Sequence, residues 1–127
     1  MSFQPPDRSD YTPTFSKTDD DEQLDVGWAI GTLSDGRPYR AELWAQDQLT
    51  CVTVFLPLAG LETASDAAVI RLLEEERVVW WLSGSKKSAG LGQLTDARGQ
   101  SLLSVNFVVG ADGEPARLDT VPFHPYA

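Results

Sequence analysis

Residues 24–33 carry a period-two pattern. Val26, Trp28 and Ile30 alternate with the small residues Gly27, Ala29 and Gly31, which predicts a half-buried strand. Ser34-Asp35-Gly36-Arg37 follows, then a second strand over 38–46. Asp-Gly between two alternating segments predicts a two-residue type I′ turn. That turn sets a register. It pairs Val26 with Ala45, Trp28 with Leu43 and Ile30 with Ala41 on an apolar, core-facing side. Gly27 then meets Trp44, Ala29 meets Glu42 and Gly31 meets Arg40 on a mixed, partly solvated side. A third strand over 49–56 is rich in Val, Thr and Phe and ends at Pro57. A turn at Asp47-Gln48 places Val52 and Val54 on the apolar side and Cys51 next to Trp44; a three-residue turn reverses this.

Thr63-Ala64-Ser65-Asp66 marks a helix start, with Thr63 as cap and Asp66 in the first turn. Ala67, Ala68, Ile70, Leu72 and Leu73 give the helix an apolar stripe, and Glu74, Glu75 and Glu76 form its solvated end. Residues 77–82, Arg-Val-Val-Trp-Trp-Leu, either extend the helix towards Gly84 or form a buried strand; their β-favouring types support the strand. A polar loop over 83–88, a glycine-rich strand over 89–95, a turn at Asp96 to Gly99 and a strand over 101–109 complete the body. The prolines around His124 extend the tail. The pattern predicts an α+β fold: a mainly antiparallel sheet of about six strands in βββ-α-βββ order, with one helix packed on one face. Residues 24–120 read as one domain, 1–23 as an extended or disordered acidic leader and 121–127 as an extended tail.

Composition narrows the chemistry. The chain has 127 residues, 19 acids against 10 bases, one Cys and one His. A single cysteine, Cys51, closes no internal disulfide. One Cys and one His make no zinc site of the Cys/His type within a chain, and the sequence calls for neither metal nor cofactor. A net charge of −9 argues against nucleic acid as partner. Residues 1–23 hold six acids against Arg8 and Lys17, so four of the nine excess negative charges lie in the leader. No apolar run approaches the roughly 20 residues that a membrane helix needs, and no signal peptide is read at the start. A cytoplasmic location is therefore expected.

The candidate functional residues are few. His124, between prolines, has no nucleophile near it in sequence and reads as an exposed tail residue. Ser83 to Gly90 bears Lys86 and Lys87 but departs from the spacing of a phosphate-binding loop; it reads as an exposed loop able to meet an acidic partner. Trp44, flanked on its side of the strand by Arg40 and Glu42, has the composition of an interface hot spot. Its alternative is structural, a ring covering Gly27. On a strand, Trp80 and Trp81 point to opposite sides, one into the core and one to a groove. The candidate partner-binding set is thus Arg40, Glu42, Trp44, Trp81, Lys86 and Lys87, with no catalytic set. These residues favour a non-catalytic protein-binding module of the inhibitor, chaperone or adaptor kind, binding another protein or itself as a homodimer. The alternative is a small-molecule-binding domain or an unusual enzyme, with a pocket between helix and sheet.

Overall fold

A computed structural model describes residues 24–46, 49–78, 86–96, 98–109 and 124–125. The expected leader, the 79–82 part of the ambiguous segment and most of the tail lie outside them. The fold is α+β. Five long antiparallel strands, β1 (Leu24–Thr32), β2 (Pro38–Gln46), β3 (Leu49–Pro57), β4 (Lys86–Thr95) and β5 (Ser101–Val109), accompany one helix, α1 (Asp66–Glu75). A two-residue strand, β6 (His124–Pro125), adds to the outer side of β1, and the order across the sheet is β4-β5-β3-β2-β1-β6. Among the described residues no helix is long and apolar enough to cross a membrane.

β2, β3 and β5 alternate as their sequence predicts. Tyr39 and Ala41, Val52, Val54 and Leu56, and Leu103, Val105 and Phe107 are buried on the side that receives Val69 and Leu73 of α1. The expected pairing of Trp44 with Cys51 is found.

The β1–β2 register differs from expectation by one residue. Trp28 pairs with Glu42, Ala29 with Ala41, Ile30 with Arg40 and Gly31 with Tyr39, with a further register shift between Asp25 and Gly27. The cause is the loop. Leu33 N–H donates to Arg37 O at 2.8 Å and Gly36 N–H to Leu33 O at 2.9 Å, with Gly36 at φ +90°. This is a three-residue hairpin loop with a left-handed third position, not a type I′ turn. One residue of slip exchanges the faces of a strand. Ala29 is therefore wholly buried on the helix side, where Gly31 pairs with the buried Tyr39, and Trp28 and Ile30 turn to the outer side.

The same loop recurs between β4 and β5: Asp96 N–H donates to Gln100 O at 2.9 Å, and Gly99 sits at φ +84°. The Asp96 carboxylate is buried there. It accepts from the backbone N–H of Arg98 at 2.9 Å and of Gln100 at 2.8 Å, and from the Arg98 guanidinium at 3.2 Å. Burial alone raises a carboxyl's pKa, but these bonds outweigh it and hold Asp96 below the usual range. A folded pKa below the unfolded value of about 3.9 adds stability above that pH, which is lost as pH falls through the folded value. Urea midpoints measured over acid pH should fall steeply for the wild type. Asp96→Asn should be less stable at neutral pH and show a flatter acid limb; an unchanged limb would contradict the assignment.

Two expectations for the helix are corrected. Its cap is Ser65, not Thr63: the Ser65 hydroxyl accepts from Ala68 N–H at 3.2 Å. Its acidic end is not simply solvated, because Glu76 accepts from Ser34 N–H at 2.9 Å and from the Ser34 hydroxyl, tying the helix end to the β1–β2 loop. Residues 77–78 lie in no strand, and the rest of the predicted 77–82 strand lies outside the described residues. Arg77 takes a left-handed φ of 56°, and Val78 N–H returns to Leu73 O at 3.1 Å. This is a Schellman ending whose following apolar residue, Val78, is buried. Glycine meets no Cβ penalty at that φ. Arg77→Gly should therefore raise the unfolding free energy by about 0.5 kcal/mol, the left-handed penalty outweighing glycine's extra chain entropy. Urea denaturation checks this, and a loss of stability would contradict it.

Candidate functional site

The outer face of the sheet, opposite α1, carries one transverse row: His124 on β6, then Trp28, Glu42, Thr53, Asn106 and Gly90 on successive strands. The next row holds Ile30, Arg40, Phe55, Ser104 and Gly92. Chemistry links the two. Arg40 Nε donates to Glu42 Oε1 at 2.9 Å, and its guanidinium carbon lies 4.5 Å from the centre of the Trp28 ring. The His124 ring stacks on Trp28 at 4.5 Å, with 28° between the planes. Further along, Trp44 Nε1 donates to the Thr53 hydroxyl at 3.1 Å, and that hydroxyl donates to Asn106 Oδ1.

The alternation of β2 puts Arg40, Glu42 and Trp44 on this face together, as the sequence indicates. The expectation of a partly solvated face is corrected, however: all three are buried, as are Cys51, Thr53 and Phe55 beside them. The ring of Trp28, turned outward by the three-residue loop, lies against Arg40, and each polar group in the network bonds to a neighbour. Trp44 stands opposite Asp25, not Gly27, so it is not a cover for that glycine. Its indole is held by Thr53.

What the face presents is a different set. Ile30 is 37% exposed, His124 is exposed and Trp28 is half-buried. The sequence pattern places Trp28 and Ile30 in the core; it makes His124 an exposed tail residue, which it is, but gives no sign of its pairing and stacking with Trp28. The missed signal was Gly36 as the third residue of a longer loop. Lys86 and Lys87 begin β4, at the far edge of the sheet, and do not join this site. Trp81 lies outside the described residues.

The nucleophile question narrows as well. Burial pushes the Cys51 thiol up to about 11, so it is protonated at neutral pH and a poor nucleophile. Among the described residues, no cluster of three His, Cys, Asp or Glu side chains is arranged for a metal. A cleft of about 140 Å³ lies between the start of α1 and β4, lined by Leu61, Glu62, Asp66, Val69, Leu91 and Gln93 among others. It is smaller than the roughly 300 Å³ at which small-molecule pockets begin. No family model, curated protein or solved structure matches the chain.

Proposed function

We propose that the chain is a non-catalytic protein-binding module. Its contact surface is the β1 side of the outer face, with Trp28, Ile30 and His124 presented and Arg40 and Glu42 behind them. The observation that carries this reading is the exposed Ile30 next to a Trp28 ring braced by Arg40 at 4.5 Å. An aromatic anchor held rigid before binding loses little entropy on docking, and Trp and Arg dominate interface hot spots. β6 pairs only with Gly27 and Trp28, so among the described residues the outer side of 29–32 has no strand beside it. A net charge of −9 speeds association with a basic partner. The buried free thiol of Cys51 suits a reducing compartment, and we place the chain in the cytoplasm.

Affinity isolation from cells that express the chain tests the reading. Wild type should capture a stoichiometric protein partner, and Ile30→Asp should lose it while keeping a cooperative unfolding transition and the wild-type far-UV circular dichroism. Absence of any stoichiometric partner, with a clear thermal shift from a small molecule, would overturn the reading in favour of a ligand-binding domain.

A further inference from the structure

We propose that two copies of the chain pair antiparallel through the outer edge of β4, centred on Leu91, to make one continuous sheet. The proposal stands apart from the partner-binding reading, because β4 lies at the opposite edge of the sheet from Trp28 and Ile30.

The backbone dictates the edge. Asp96 N–H bonds to Gln100 O across the β4–β5 hairpin. Antiparallel ladders alternate, so residues 90, 92 and 94 direct their N–H and C=O groups to β5. The groups of Ala89, Leu91, Gln93 and Thr95 point the other way, where the described residues place no strand. Gly90, Gly92, Gln93 and Thr95 are exposed. Edge strands are normally guarded by charge, proline or a bulge. Here the guard is confined to the start, in Lys86, Lys87 and the register shift between Lys86 and Ser88. The remaining stretch, Ser88 to Thr95, has neither charge nor proline.

The charges favour a second copy as the occupant. In a chain of net charge −9, this neutral stretch is where two copies approach without repulsion. With Leu91 on the twofold axis, Leu91 meets its own equivalent on the helix side and Gly90 meets Gly92 on the outer side. The register then sets residues 86–87 of each copy beside residues 95–96 of the other. The twofold pairing sets the basic start of each β4, Lys86 and Lys87, against the end of the other copy's strand and away from its own like charges. Leu91, half-buried in the single chain, extends the core across the junction.

Size-exclusion chromatography with light scattering at micromolar concentration should give twice the 13.9 kDa chain mass. Gln93→Pro removes an outward N–H from each copy while leaving the β4–β5 ladder intact, and should weaken self-association at least about tenfold. Leu91→Lys and Leu91→Glu should each be monomeric, and their equimolar mixture should restore a dimer. This third arm decides the matter even if Gln93→Pro fails to fold. A monomeric wild type, a dimer indifferent to these changes, or a mixture that stays monomeric would overturn the proposal. So would a monomer whose β4 amides become protected from exchange only by a foreign protein, since the edge would then belong to that protein.

Discussion

Replacing Glu42 with alanine should lower stability by about 3 kcal/mol, read as a fall in the urea midpoint. The Arg40 and Glu42 side chains are only 6% and 11% exposed, and the Nε–Oε1 distance is 2.9 Å. Truncating the acid leaves a guanidinium covered by Trp28 without the carboxylate that compensates its desolvation. The cost comes from the lost compensation of a buried charge more than from the value of the pair. The double replacement Arg40→Met with Glu42→Leu should therefore lie within about 1 kcal/mol of wild type, far from the sum of the single changes. A loss below about 0.5 kcal/mol for Glu42→Ala is the signature of a surface pair. It would contradict the burial of the outer face.

The second large effect is expected on the helix side. Phe107→Ala should cost about 4 kcal/mol, the transfer of the ring plus the cavity it leaves. Phe107 is wholly buried on β5, in register with Val52 of β3 and Ala89 of β4. Domains of this size are stable by roughly 5–15 kcal/mol, so this variant should be close to unfolding at ordinary temperature. Its neighbour Val108 faces the outer side and is half-buried, and Val108→Ala should cost about 1 kcal/mol. Equilibrium unfolding of the two variants together measures the contrast between the faces. Equal losses would contradict the assignment of β5.

β2, β3 and β5 were legible in the sequence because each sets large apolar residues against polar ones. Val52 and Val54 flank Thr53, and Val105 and Phe107 flank Asn106, so only one side fits the core. β1 offers two inward candidates: Trp28 and Ile30 by hydrophobicity, Gly27, Ala29 and Gly31 by volume. The loop settles it by fixing the register, which sets Ala29 and Gly31 opposite the buried Ala41 and Tyr39. Asp35-Gly36 satisfies both a two-residue turn and the last two positions of a three-residue one, so the dipeptide alone does not distinguish them. The helix ending at Arg77 escaped notice for a related reason: a left-handed position held by arginine carries no sequence mark. Within the site, the grouping of Arg40, Glu42 and Trp44 followed from strand alternation. Their burial did not, because strand alternation says which side chains share a face and not what covers that face. The stack of His124 on Trp28 joins residues 96 positions apart, beyond the reach of local pattern.

The central claim is that β1 turns Trp28 and Ile30 outward, because the proposed binding surface requires that register. Cross-strand NMR contacts between β1 and β2 test it most directly. The account predicts contacts that pair Ala29 with Ala41, Ile30 with Arg40 and Trp28 with Glu42. Contacts that instead pair Ile30 with Ala41 and Trp28 with Leu43 would return both side chains to the core and contradict it.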